Sequence, residues 1–321
     1  MTEQASKPEV LLLQRIADPG MERLEEHFNV VHLWDSPTPE RAMHDHADTA
    51  RGVLTGANIG LTPEQAARLT NLEIISLHGV GLDRVDIDHA QRKGLRIAYT
   101  PDVLTADVAD MGFGLMMSTL RRLPQGHDFV KAGHWAQGKQ PPLTRSLTGK
   151  RLGILGLGRI GQAIATRAEA FGMEIAYTNR TPREDVSYAF EPDLQRLAAW
   201  SDVLMMAAAS SPGMRPLVDD NVLAALGPDG IIVNVGRGVL VDENTLIGRL
   251  ERGELLGAGL DVFAIEPHIN EALLTLDNVV LSAHQASATV ETRNAMALQS
   301  VEHLIQHFSG GRPDHLATTE A

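Results

Sequence analysis

The stretch Leu152-Gly-Ile-Leu-Gly-Leu-Gly-Arg-Ile-Gly161 constrains the chain most, because an apolar run ends there in glycines at 156, 158 and 161. Leu152 to Leu155 suits a strand buried on both faces of a parallel sheet, and Ile160 to Ala170 suits the helix that follows. Between them the chain must turn sharply and expose its backbone. Gly156 permits the turn, Gly158 lets the main chain approach a pyrophosphate, and Gly161 lets helix and strand pack closely. Free N–H groups and the dipole at the helix start then favour an anion. A glycine triplet alone describes any glycine-rich turn. The strand before it and the helix after it make a dinucleotide-binding turn the stronger reading.

At 321 residues the chain has room for two domains. Hydrophobic residues at 43% and charged residues at 21% fit a soluble globular protein. The formal net charge of −13 argues against nucleic acid or an anionic membrane as partner, since both need a basic footprint. No cysteine is present, which excludes disulfides, a thiolate nucleophile and cysteine-ligated metal. Met1 to Val10 is polar and the apolar run after it is short, so neither a signal peptide nor a spanning helix is expected. A cytoplasmic location without a bound metal is the expectation.

Strands alternate with helices along the chain, which implies parallel sheets and an α/β class with two doubly wound domains. In the first half, strands are expected at 9–16, 30–34, 52–54, 72–77 and 95–98. Helices are expected at 21–28, 39–46 and 63–69, the last with Thr62 as N-cap. Thr100-Pro101 marks a break before a helix at 106–123. Residues 124–147 lack a clean period and contain Trp135, Gly138, Pro141 and Pro142. They read as a crossing loop that could serve as an arm against a partner subunit.

From Lys150 a second series runs through strands at 151–156, 173–177, 202–208, 231–235, 257–262 and 279–282. Helices at 160–171, 191–199, 218–226 and 242–253 lie between them. A long helix at 289–308 returns to the N-terminal half, and the tail from Ser309 reads as a flexible end.

Several groups at strand ends carry chemistry. Asn179 lies 18 residues beyond Gly161, where a dinucleotide site commonly places an acid on the ribose 2′-hydroxyl. Here the acid is missing. Arg180, Thr181 and Arg183 bring donors suited to a 2′-phosphate instead, unless they are solvated loop residues. Arg237 sits between two glycines after a buried strand, either as a bidentate clamp on a carboxylate or as a surface arginine. Glu266 and His284 follow the next two strands of the same sheet. A carboxylate there can favour the charged imidazole and orient its ring as a general acid. Thirteen histidines make any single one unremarkable, and only convergence with Arg237 and Glu266 raises this one above the rest. An earlier turn, Leu77-His-Gly-Val-Gly-Leu-Asp83, could seat a smaller anion or be an ordinary strand-to-helix turn.

The chain resembles the D-2-hydroxyacid dehydrogenases, most closely their hydroxypyruvate/glyoxylate reductase branch. The resemblance runs from about residue 70 to 310. It rests on Gly79-Val-Gly-Leu-Asp83, Val103-Leu-Thr-Ala-Asp-Val-Ala109, Leu155-Gly-Leu-Gly-Arg-Ile-Gly161, Val235-Gly-Arg-Gly238, Gly259-Leu-Asp-Val-Phe263 with Glu266-Pro, and His284 with Ser287-Ala-Thr289.

It implies a flavodoxin-like substrate domain of residues 1–100 plus 288–321 and an NADP-binding Rossmann domain of residues 101–287. The implied reaction is reduction of a small 2-oxo acid to the D-2-hydroxy acid. By the same carry-over Arg237 binds the oxo acid, His284 donates the proton and Glu266 is its partner. Val80 and Gly81 hold the substrate carboxylate through backbone amides, with Ser287 nearby, and Asp261 meets the nicotinamide carboxamide. Gly156, Gly158, Arg159, Ile160, Gly161, Thr105 and Val235 complete the cofactor contacts. The Asn179-Arg180-Thr181 end resembles NADPH-preferring members, so NADP(H) is expected over NAD(H), in a homodimer.

Departures from the family pattern are Ala283, Gln285 and Ala286 around the histidine. Ala209, Met214 and Arg215 depart from it in a loop over the adenine, and Asp110 replaces a usual glutamate. Rival readings are a 2-ketogluconate or aryl-pyruvate reductase and, from another class, a non-catalytic dinucleotide-sensing protein.

Overall fold

The computed structural model describes residues 7–211 and 213–318. The opening of the polar stretch Met1 to Val10, the ends of the expected first domain and Pro212 of the adenine loop lie outside the described residues. The chain divides into two compact units, Met1–Leu104 with Ala288–Ala321, and Thr105–Ser287.

The first unit alternates β1 (Glu9–Leu12), α1 (Asp18–His27), β2 (Asn29–His32), α2 (Pro39–Asp45), β3 (Ala50–Gly56), α3 (Pro63–Arg68), β4 (Ile74–His78), α4 (Ile87–Arg92) and β5 (Arg96–Tyr99). Its five strands are parallel in the order β2-β1-β3-β4-β5, the flavodoxin-like winding. Alternating side chains feed two cores. One face gathers Leu11, Val53, Ile75, Leu77 and Ile97, and the other Val10, Leu12, Leu54 and Ile74. That second face is closed by the C-terminal helix, whose Ala297, Val301 and Leu304 join the same cluster. Thr62 caps α3 in a reciprocal capping box with Gln65.

The second unit opens with α5 (Thr105–Arg121) and α6 (Leu123–Lys131). It continues through β6 (Arg151–Leu155), α7 (Arg159–Ala170), β7 (Glu174–Thr178), β8 (Ala189–Phe190), α8 (Leu194–Trp200), β9 (Val203–Met206), α9 (Asp220–Leu226), β10 (Ile231–Asn234), α10 (Glu243–Glu251), β11 (Gly257–Leu260) and β12 (Val279–Leu281). The strand order β12-β11-β10-β9-β6-β7-β8 is the Rossmann winding with one strand added at the β12 edge, every pair being parallel. The two doubly wound sheets expected from the alternation are borne out. The long last helix, α11 (Val290–Phe308), belongs to the first unit.

Two expectations fail. Residues 124–147 are not a loop throughout, because α6 begins there with Pro124 in its first turn, where the missing N–H costs nothing. No residue of α6 is buried, and at nine residues the helix is short. The tail from Ser309 to Thr318 is also not a free end. Ala98 and Leu316 form an antiparallel bridge, the Ala317 N–H donates to the Ile97 carbonyl (2.7 Å) and the Tyr99 N–H to the His315 carbonyl (3.1 Å). Much of the hold on this segment is main-chain pairing, which leaves no side-chain signature.

Candidate active site

The glycine turn joins β6 to α7, with Gly158 as the N-cap. Gly156 has φ +96°, and a Cβ on it would lie 2.6 Å from the Ala208 backbone. A Cβ on Gly161 would meet the Gly156 carbonyl oxygen at 2.2 Å, which is the close helix–strand approach the spacing predicts. At Gly158 nothing lies within 4 Å of that position, so the main chain is open to a ligand. The amides of Arg159, Ile160 and Gly161 fall in the first turn of α7, where no intrahelical acceptor exists. An open glycine face, helix-start amides beyond the reach of intrahelical acceptors and a favourable dipole fit the pyrophosphate of a dinucleotide. The turn lies at the inner edge of β6, beside β9, where the winding of the sheet reverses.

At the end of β7, Asn179 turns its Oδ1 back to accept the Leu157 N–H of the glycine turn (2.7 Å). Arg180 and Thr181 are exposed, with no side-chain partner among the described residues. Arg183 departs from the expectation of a free donor, being bonded to Asp185 and to the Leu157 carbonyl.

The ends of three successive strands, β10, β11 and β12, supply Arg237, Glu266 and His284. His284 Nδ1 is 2.6 Å from Glu266 Oε2, and Glu266 Oε1 accepts the Phe263 N–H at 3.0 Å. With Nδ1 engaged, Nε2 is the nitrogen left to serve a substrate. Burial pushes the Glu266 carboxyl up. The hydrogen bonds from His284 and the Phe263 amide, with the charges of His284 and Arg237, outweigh it and hold Glu266 below the ordinary carboxylate value. Arg237 is half-buried and donates from Nη1 to the Gly236 carbonyl (2.9 Å). Gly238 beside it is obligatory, since a Cβ there would fall 1.9 Å from the Phe263 backbone.

His284 itself has φ +47°, a left-handed conformation unusual for a side-chain-bearing residue. Asp261 holds it there. This aspartate, 1% exposed, accepts from Ser282 Oγ (2.6 Å) and from the amides of Gln285 (2.9 Å) and Ala286 (3.1 Å), while its carbonyl accepts the His284 N–H (2.8 Å). Three of the roughly four acceptor sites of a carboxylate are thus engaged within the protein. The sequence reading gave Asp261 only a cofactor contact and missed this anchoring. The available signal was an acid at the C-terminal end of a wholly buried strand.

Val235 is buried at the end of β10, Thr105 starts α5, and Ser287 is half-buried at the last position of the second unit. Asp110 keeps a full ion pair with Arg167 (2.6 Å) despite its shorter side chain. In the first unit, Val80 and Gly81 follow β4, and their amides have no acceptor among the described residues. Gly79, at φ +143°, donates its N–H to the Thr100 hydroxyl oxygen (2.9 Å) and would place a Cβ 2.6 Å from that of Ala57. Sequence reasoning also passed over His78 and Arg293. Burial and then the Arg293 charge, against the Met296 backbone, push His78 down to about 4, and burial lowers Arg293. Among the described residues no cluster of three or more metal-ligating side chains occurs, and no helix is long and apolar enough to cross a membrane.

A Rossmann sheet with a glycine turn open to pyrophosphate, an arginine two strand ends away and an imidazole–carboxylate pair on the two strand ends beyond it defines a dinucleotide-dependent oxidoreductase. Residues 113–286 match the family model described as D-isomer specific 2-hydroxyacid dehydrogenase, NAD binding domain. The chain is 46% identical over 305 residues to a 2-ketogluconate reductase of Gluconobacter oxydans (95% of this chain, 97% of the relative). It is 47% identical over 287 residues to glyoxylate/hydroxypyruvate reductase A of Arabidopsis thaliana (89% and 91%). Among solved structures, the NADPH-dependent glyoxylate/hydroxypyruvate reductase of Sinorhizobium meliloti, in complex with NADP and malonate, superposes with a TM-score of 0.88 at 39% identity, covering 98% of this chain and 100% of that one. The chain belongs to the D-isomer specific 2-hydroxyacid dehydrogenase family. It is an NAD(P)-dependent oxidoreductase acting on a small 2-oxo acid, related to the glyoxylate/hydroxypyruvate reductases.

Proposed function

We propose that the protein reduces a small 2-oxo acid of the glyoxylate/hydroxypyruvate type to the D-2-hydroxy acid and prefers NADPH. The observation that carries this reading is the 2.6 Å contact between His284 Nδ1 and Glu266, which fixes the ring and leaves Nε2 as the proton donor. The reduced dinucleotide, when bound, supplies the hydride. His284 gives its proton to the carbonyl oxygen, and Glu266 orients the ring and stabilises its charged form before the transfer. Arg237 clamps the oxo acid and stabilises charge developing on the oxygen. The unpaired Val80 and Gly81 amides serve the substrate carboxylate, and Ser287 lines the same end of the second unit. The remaining acceptor site on Asp261 is available to the nicotinamide carboxamide.

Arg180 and Thr181, exposed and unpaired among the described residues, support the NADPH preference, as does the absence of an acid at position 179. A homodimer is favoured by Leu123, Val130, Trp135 and Leu143, all exposed apolar side chains on one stretch of chain. A cysteine-free chain is compatible with the cytoplasm.

A second reading, reduction of 2-ketogluconate, draws on the 46% identity to the Gluconobacter enzyme. A steady-state panel of glyoxylate, hydroxypyruvate, phenylpyruvate and 2-ketogluconate with both cofactors tests these readings. We expect the highest kcat/KM with glyoxylate or hydroxypyruvate and NADPH. A maximum at 2-ketogluconate would replace this reading with the second, and cofactor binding without turnover on any acid would favour a sensing role.

A further inference from the structure

The loop after β7 carries two arginines, and they stand in different states. Arg180 is exposed and has no side-chain partner among the described residues. Arg183 is half-buried and ties three elements together. Its main-chain N–H donates to the hydroxyl of Tyr177, a side chain on β7 that is 1% exposed (2.8 Å). Its Nη1 donates to the Leu157 carbonyl inside the glycine turn (3.1 Å). Gln162 in the first turns of α7, with its amide oxygen turned to the guanidinium, accepts from Nη1 at 2.8 Å and Nη2 at 3.2 Å. Asp185 closes the set as a fork, taking Nε at 2.9 Å and Nη2 at 2.5 Å.

Such a guanidinium is poorly suited to a dianionic phosphate. Its charge is already matched by a bidentate carboxylate, and a phosphate would have to displace that partner. Its bonds instead fix the turn that must meet the pyrophosphate. Leu157 is held on both sides, its N–H by Asn179 Oδ1 and its carbonyl by Arg183. A turn held this way before the cofactor arrives loses less conformational freedom on binding, which raises affinity for any dinucleotide alike.

We infer that Arg183 is a positioning residue, a strut that fixes the glycine turn for the pyrophosphate shared by both cofactors, and that a 2′-phosphate falls to Arg180 and Thr181. The second half rests on the proposed NADPH preference, and the first half does not.

Fluorescence titration of the full chain with NADPH and with NADH separates the two halves. Arg183→Met should raise Kd for both cofactors by about tenfold, as loss of a charge-assisted bond implies, and leave their ratio within about threefold. In turnover assays KM for both cofactors should rise while kcat at saturation is retained, a split that general destabilisation would not give. Should Arg183→Met fold poorly, Arg183→Lys provides the same test. A single ammonium can reach the Leu157 carbonyl but cannot fork, so both affinities should recover in part and together. Asp185→Asn, which spares the bonds to Leu157 and Gln162, should change both affinities by less than about threefold.

A tenfold change in the NADPH/NADH ratio with NADH affinity intact would make Arg183 a phosphate ligand and overturn the strut. Unchanged affinities for both would overturn it too, leaving a solvated loop arginine. Equal native affinities, or an Arg180→Gln variant with the native ratio, would sink the NADPH reading alone, and a parallel loss in Arg183→Met would still support the strut.

Discussion

Asp261 in the second unit and His303 in the first are equally buried, each 1% exposed, yet they are treated in opposite ways. The Asp261 carboxylate receives three donors, while neither ring nitrogen of His303 has a partner among the described residues. Burial first, then the charge of His315, whose ring lies edge-on at 5.9 Å, pushes His303 down to about 4 against the opposing pull of Asp314 and Glu302. His78 repeats the pattern, 4% exposed and with Nδ1 unpartnered. Where a loop must present an acid, the buried group is given three hydrogen bonds. Where helix α11 only packs on a sheet, the ionisable group is kept neutral instead, at the cost of unmet bonds.

The largest effect should come from the residue that Asp261 presents. His284→Ala should lower kcat on the order of 10³-fold, as removal of a general acid does, with cofactor affinity little changed. Turnover near the native rate would remove His284 from the reaction. Asp261→Ala leaves Ser282 and two amides unanswered. It should cost about 3 kcal/mol in urea denaturation and reduce turnover as the left-handed His284 relaxes. An unchanged midpoint would mean that the three bonds are not what separates the two regions.

The neutral histidines make the opposite prediction, in acid. Their folded values near 4 lie below the ordinary 6.5, so the unfolded chain takes up the extra protons first. Stability is therefore full above about pH 6.5 and falls towards pH 4, by about 3 kcal/mol per histidine. His303→Leu should remove roughly half of that slope, because His78 remains. Identical melting profiles of variant and native protein across that range would show that His303 is not held neutral.

The smallest effect concerns the ribose end. Asp at position 179 can still accept the Leu157 N–H, so Asn179→Asp with Arg180→Gln should shift the NADPH/NADH ratio of kcat/KM towards NADH by about tenfold without loss of fold. An unmoved ratio would dispose of the 2′-phosphate argument.

Much of this architecture is legible in the chain. Each glycine of the β6–α7 turn meets the steric demand its spacing implies, and the alternation of strands and helices announces two parallel sheets. His284 and Glu266 were legible as a possible pair at adjacent strand ends, and the structure brings them to 2.6 Å. Two features were illegible for a common reason. The segment Ser309 to Thr318 is paired largely through main-chain bonds, and Asp261 works mainly on amides. A period or a motif records side chains, and in both much of the holding is done by the backbone. Arg183 differs again, since its partners are scattered over Leu157, Gln162, Tyr177 and Asp185 and no spacing predicts which neighbour an arginine will choose.

Apart from the Ser282 hydroxyl, the Asp261 anchor grips atoms that every residue but proline possesses. Positions 283 and 285, both exposed, are therefore free to drift without displacing the acid between them. Ala283 and Gln285 can be read as tolerated spelling rather than altered meaning. For anyone wishing to retune this enzyme, they offer a place to reshape the approach to His284 while its imidazole stays where it is.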